Sequence, residues 1–188
     1  MQNHNIFLIL KKIGLKLKSL SISEIRTWSS FENLVADYFR EVQKDKEFNV
    51  KNVVVNPTGS GMDGGRDILV TLTVDDSIIT FHRKWVIQCK FYSTDVKKSN
   101  LADINLPSLI HEYGANGYLL VCKNGVTSGL STSFEALNLN CKFGYKYEFW
   151  NQSQLLKRIL YKRELIDAYF PKYSQFLKKE ALKIKEMK

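Results

Sequence analysis

The stretch from Asn56 to Phe91 constrains the chain most, because its residues leave the backbone few choices. Asn56-Pro57 is followed by Thr58-Gly59-Ser60-Gly61-Met62-Asp63-Gly64-Gly65, which is too rich in glycine for a regular element and must be a loop. Residues 68–74 are rich in β-formers, Asp75-Asp76-Ser77 is a turn signal, and residues 79–91 are β-rich again. The two runs predict a β-hairpin. Side chains alternate along a strand, so Val86, Gln88 and Lys90 share one face and Trp85, Ile87 and Cys89 the other. Folding about Ser77 pairs Asp67, at the opening of the first strand, with a residue near 87. Asp67 then lies beside Gln88 on the neighbouring strand, within side-chain reach.

The remaining elements follow from apolar spacing and punctuation. A basic helix is expected over 6–20, with Ile6, Leu10, Ile13 and Leu17 at helical spacing. Another is expected over 29–44, capped by Ser29 or Ser30, with Phe31, Leu34, Val35, Tyr38 and Phe39 as its buried stripe. Residues 51–55, 117–122 and 145–150 read as strands. Residues 100–113, 128–139, 152–160 and 162–169 read as helices, with the domain closing at Pro171. Residues 173–188 form a basic amphipathic helix or a frayed tail. Strands that alternate with helices after an initial helix and hairpin predict an α/β fold, a central mixed sheet flanked by helices on both faces. The expected division is a basic extension at 1–28, a catalytic domain at 29–170 and a basic helix or tail at 171–188.

Composition narrows the class. The 188 residues suit one domain with extra terminal elements, and 44% hydrophobic content supplies a real core. No apolar run approaches the ~20 residues of a membrane span. Lys11 and Lys12 follow the apolar start and no small-residue cleavage site appears, which argues against a signal peptide. Cys89, Cys122 and Cys141 are odd in number and widely spaced, which argues against a disulfide framework or a zinc site and suggests reduced thiols in a cytoplasmic protein. The net charge of +9 is uneven. Residues 1–30 carry five Lys/Arg against one acid and residues 151–188 ten against four, whereas 31–150 carry thirteen against fourteen. Basic ends fit a polyanionic partner; Lys-rich terminal helices that are merely solvated fit as well.

A Gln and a Lys at the end of an apolar strand conflict with a purely structural role, and such conflicts mark sites. The bland alternative is a solvated polar pair on an edge strand. Asp67, Gln88 and Lys90 together suit phosphodiester hydrolysis. Mg²⁺ takes oxygen ligands, and Asp67 offers a carboxylate, Gln88 an amide oxygen and Cys89 its backbone carbonyl. Lys90 can hold the attacking water or stabilise charge on the phosphorane. A neutral Gln weakens such a site, and Glu32 on the first helix is the best candidate for a further acid, its alternative being a solvated helix position. The glycine loop is either a surface turn or a phosphate cradle; no Gly-Lys-Ser/Thr makes it a Walker loop. Arg66 reads equally as a phosphate contact or half of a surface ion pair. His4, His82 and His111 show no metal-binding spacing.

Gly61-Met62-Asp63-Gly64-Gly65-Arg66-Asp67-Ile68 followed by Val86-Ile87-Gln88-Cys89-Lys90-Phe91-Tyr92 resembles the signature of Mrr-type restriction endonucleases, in the PD-(D/E)xK nuclease superfamily. The Mrr branch commonly carries Gln-x-Lys where others have acid-x-Lys. Phe31-Glu32 matches a helix pattern of that group, and the resemblance covers about residues 29–165. It implies a restriction-endonuclease-like fold with Asp67 as metal-binding acid, Gln88 as metal ligand, Lys90 as catalytic lysine and Glu32 as helix acid. Asp63 is the rival of Asp67 and is given a loop-shaping role. Gly64, Gly65 and Arg66 are the candidates for substrate contact. Mg²⁺ is the implied cofactor, with Mn²⁺ as a substitute.

The function expected is a metal-dependent DNA endonuclease serving restriction or anti-phage defence. Its partners would be DNA, a second copy or more of the chain, and a sensor or regulatory domain or protein. The competing expectations are a nucleic-acid binding module with a weakened site, and a junction or RNA nuclease on the same fold.

Overall fold

The computed structural model describes residues 19–45, 49–58 and 65–186, with side chains described as far as residue 184. The expected helix over 6–20 lies outside these residues save for Ser19 and Leu20, which are not helical, and Asp63 and Gly64 also lie outside them. The described residues fall into two compact units, one spanning Thr27–Gln152 and the other combining the residues before and after it.

The unit Thr27–Gln152 is built on a five-stranded sheet. After helix α1 (Trp28–Val42) come β1 (Val50–Pro57), β2 (Ile68–Asp75), β3 (Thr80–Lys90), helix α2 (Leu106–Glu112), β4 (Gly117–Cys122), helix α3 (Ser128–Asn140) and β5 (Lys146–Trp150). The strands lie in sequence order. β1, β2 and β3 are antiparallel neighbours, whereas β4 and β5 join parallel through the helical crossovers. All six residues of β4 are buried, as expected of a parallel strand covered on both faces. The fold is thus an α/β mixed sheet, as the alternation of elements implied.

Helices α2 and α3 cover one face. Leu106, Leu109 and Ile110 of α2 and Leu130 and Phe134 of α3 pack with Val86, Tyr118, Leu120, Cys122 and Tyr147 of the sheet. Helix α1 covers the other face: Phe31 meets Phe91 with ring centroids 5.6 Å apart, and Tyr38 and Phe39 meet Trp150 at 5.5 and 5.6 Å. The two faces carry the two alternating sets of β3 side chains.

The hairpin register follows the sequence expectation, with Ile68 opposite Ile87 and Asp75 opposite Thr80. Ser77 adopts φ +75°, and Asp76 caps the turn by accepting from the amides of Ile78 and Ile79 at 3.0 and 2.9 Å. Three local expectations differ. The N-cap of α1 is Thr27, whose hydroxyl accepts from the Ser30 amide at 3.1 Å; Ser29 and Ser30 already lie in the first turn. The helix expected over 100–113 divides into a 3-10 turn at Lys98–Leu101 and α2, because Asn105 caps a new helix and Pro107 is tolerated only in its first turn. The last helix begins at Pro171, ahead of the start expected at 173.

The second unit holds a 3-10 turn at Ile22–Glu24, helix α4 (Gln152–Ile159, all but its first residue), α5 (Arg163–Tyr169) and α6 (Pro171–Glu186). A Glu24 carboxylate oxygen accepts from the Lys172 amide at 2.7 Å, tying the segment before the sheet to α6. Among the described residues no helix is long and apolar enough to cross a membrane. The cysteines are unbridged, Cys89 and Cys122 buried and Cys141 half-buried.

Candidate active site

Asp67 immediately precedes β2, where three strands fix its backbone. Its amide donates to the Ile87 carbonyl at 3.0 Å, and its carbonyl accepts from the amide of Thr58, just past β1, at 2.8 Å. The Thr58 hydroxyl reaches the carbonyls of Arg66 and Asp67 at 2.7 and 2.8 Å. Oδ2 of Asp67 accepts from the Cys89 amide at 2.6 Å. The carboxylate is therefore aimed at the segment of β3 that holds Gln88 and Lys90.

Gln88 is buried, with 5% exposure. Its Oε1 accepts from the hydroxyl of Tyr118 on β4 at 2.5 Å. A carbonyl oxygen has two lone pairs, so one remains for another partner. Lys90 ends β3, half-buried, with Nζ 5.7 Å from the centre of the Tyr92 ring. Its carbonyl accepts from the Lys123 amide at 2.9 Å.

Glu32 lies in α1 beside Phe31, whose contact with Phe91 brings this helix to the end of β3. The Glu32 carboxyl is pushed up to about 7, by burial first and then by the negative charge of Asp67. Burial, and after it the same Asp67 charge, also hold the Cys89 thiol and the Tyr118 phenol well above their ordinary ranges. Four groups thus converge on one carboxylate: the Cys89 amide by hydrogen bond, and Glu32, Tyr118 and the Cys89 thiol by field.

The loop residues divide. Gly65 adopts φ +97°, and a Cβ there would lie 2.4 Å from Cδ1 of Ile104, so the position admits glycine alone without strain. Arg66 stacks its guanidinium 4.4 Å above the Tyr113 ring. Its buried Nε has no hydrogen-bond partner among the described residues.

The donors fit a hard divalent cation. Two carboxylates and an amide oxygen are the ligand types Mg²⁺ takes, and repulsion between Asp67 and Glu32 is what a cation between them would relieve. Among the described residues no group of three or more His, Cys, Asp or Glu is arranged to hold a metal ion by itself. Tyr118 is the residue that sequence reasoning missed. The sequence carried only part of the signal: a tyrosine inside an apolar strand must satisfy its hydroxyl, but its partner is set by the register of β4 against β3.

A family model, Mrr_cat, described as a restriction endonuclease, matches residues 24–156. No curated protein matches the sequence. Among solved structures, the DNA modification-dependent restriction endonuclease AspBHI aligns with 85% of this chain and 44% of its own, at 14% identity and a TM-score of 0.46. The MspJI restriction endonuclease in complex with a 27-mer oligonucleotide aligns with 94% of this chain and 34% of its own, at 14% identity and a TM-score of 0.49. The chain spans less than half the length of either protein.

Proposed function

Since the chain belongs to the Mrr_cat restriction endonuclease family, we propose that it is a metal-dependent endonuclease that hydrolyses phosphodiester bonds of DNA. The observation that carries this reading is the 2.6 Å hydrogen bond binding the Asp67 carboxylate to the strand of Gln88 and Lys90. Asp67 and Gln88 would hold Mg²⁺, with Glu32 and the Cys89 carbonyl completing the set, and Mn²⁺ would substitute. When bound, such a cation supplies Lewis-acid polarisation of the phosphate and makes nearby water a better nucleophile.

The chain's own groups supply position and charge. Asp67 is locked by Thr58 and by two β3 contacts, so its carboxylate needs no rearrangement when substrate arrives. The Lys90 ammonium donates to the attacking water or to a phosphate oxygen as negative charge grows there. Gly65 lets the backbone just before Asp67 run close to Ile104. A role in restriction or anti-phage defence, an assembly of two or more copies that cuts both strands, and attachment to a sensor or regulatory module belong to the same proposal.

A second reading has an observation of its own. Gln88 is neutral and buried, and one lone pair of its amide oxygen is already engaged by Tyr118, which suits a nucleic-acid binding module with a weakened site. Purified chain incubated with linear duplex, branched DNA and RNA, each with Mg²⁺, Mn²⁺ or EDTA, separates the readings. Duplex cleavage that EDTA abolishes is expected. Binding without cleavage in every metal would favour the second reading, and a preference for branched DNA or RNA would redirect the first.

A further inference from the structure

Tyr118 stands opposite Val86 in the parallel β3–β4 pairing, on the face that Gln88 shares. Its side chain is fully buried, and its ring is held edge-on by Phe134, with centroids 6.1 Å apart and planes at 76°. Its hydroxyl proton goes to Oε1 of Gln88.

An amide side chain has two ends of nearly equal shape, and only the oxygen end binds a metal. In a buried site the choice of end falls to the neighbours. Rotating the Gln88 amide by a half-turn would present its NH₂ to the tyrosine and strand the phenolic proton, a costly outcome away from water. The Tyr118 hydroxyl therefore selects the orientation of Gln88. A carboxylate at position 88 would need no such selection, because both its ends are oxygen.

We propose that Tyr118 is a positioning residue that fixes the Gln88 carbonyl so that its second lone pair meets the divalent cation. The inference rests on reading Asp67 and Gln88 as metal ligands. Neighbours that orient a metal ligand typically contribute ten- to a hundredfold to metal affinity, so the loss should be measurable.

The test is direct Mn²⁺ binding to the whole chain, by calorimetry or electron spin resonance, with metal-free melting curves to report folding separately. Tyr118→Phe, which keeps the ring against Phe134, should weaken Mn²⁺ about tenfold. In the Gln88→Glu background the same change should shift binding by less than about threefold, because a carboxylate has no wrong end. Asp67→Ala controls for the metal site itself. Mn²⁺ binding by wild type that Asp67→Ala leaves intact would sink the metal-site reading and this inference with it. Binding that needs Asp67 but is unchanged by Tyr118→Phe would sink the inference alone. So would a Tyr118→Phe loss that persists in full beside Gln88→Glu, since the tyrosine would then act through packing rather than through the amide.

Discussion

The backbone amide of Cys89 donates to Oδ2 of Asp67 across 2.6 Å, so the acid that precedes β2 is held by the strand that bears Gln88 and Lys90. This bond converts a hairpin register into a chemical arrangement, and it separates two roles of Asp67 that mutation can resolve.

Asp67→Asn keeps an oxygen that accepts from the Cys89 amide and removes the charge. It should retain most of its stability and lose at least ~100-fold in cleavage rate. Asp67→Ala removes both and leaves the Cys89 amide unmatched, so it should lose a further ~1–3 kcal/mol of stability. Urea unfolding beside a cleavage assay reads the two effects. Equal stability of the two variants would mean that the bond does not hold the site together.

Glu32 makes the site pH-dependent. Its native carboxyl is raised to about 7 from an ordinary value of 4.5, by burial and by Asp67. Between those values the native state binds more protons than the unfolded chain, so stability falls as pH rises through the window. Below 4.5 both states are protonated and the effect is absent; above 7 it is complete. Glu32→Gln should therefore melt higher than wild type at pH 8 in EDTA and alike at pH 4. Because the group is only partly buried, solvent screening keeps the gain on the order of 1 kcal/mol. Cleavage at limiting metal should rise with pH through about 7. Melting curves that coincide at pH 8 would show that Glu32 and Asp67 do not repel.

Gly65→Ala should destabilise the domain by roughly 1–3 kcal/mol, since it meets both a positive φ and the Ile104 side chain. Ile104→Ala should rescue only part of that loss, because it clears the clash and leaves the backbone strain. Denaturant midpoints of the single and double variants check this. Full rescue would assign the whole cost to the side-chain clash.

Arg66→Ala should lower stability modestly, by about 0.5–1 kcal/mol, through loss of its stacking on Tyr113. If stacking is its main role, the salt dependence of DNA binding should be unchanged. A decrease of about one in the salt slope would instead assign Arg66 to a phosphate.

Where a feature was local, the sequence made it legible. The continuous apolar run of residues 117–122 read as a strand and is buried throughout, and the Asp75-Asp76-Ser77 signal brought Asp67 close to its place beside β3, where Ile68 stands opposite Ile87. Alternation then placed Gln88 beside the approach of Asp67. Features set by competition between neighbours were not legible. Thr27, Ser29 and Ser30 are all good caps, and only the entry direction of the chain selects Thr27. Asn105 outcompeted helix continuity before Pro107. The Tyr118–Gln88 bond depends on the relative register of β3 and β4, which no single strand reveals. The approach of Glu32 to Asp67 depends on where α1 packs, and its pattern along the helix carries no such information.

Single-turnover cleavage of a DNA duplex in Mg²⁺, by wild type and by Lys90→Ala, tests the central claim most directly. The account predicts that the variant keeps its fold and binds DNA within about threefold of wild type, yet cuts at least ~100-fold more slowly. A Lys90→Ala protein that cuts as fast as wild type would contradict it.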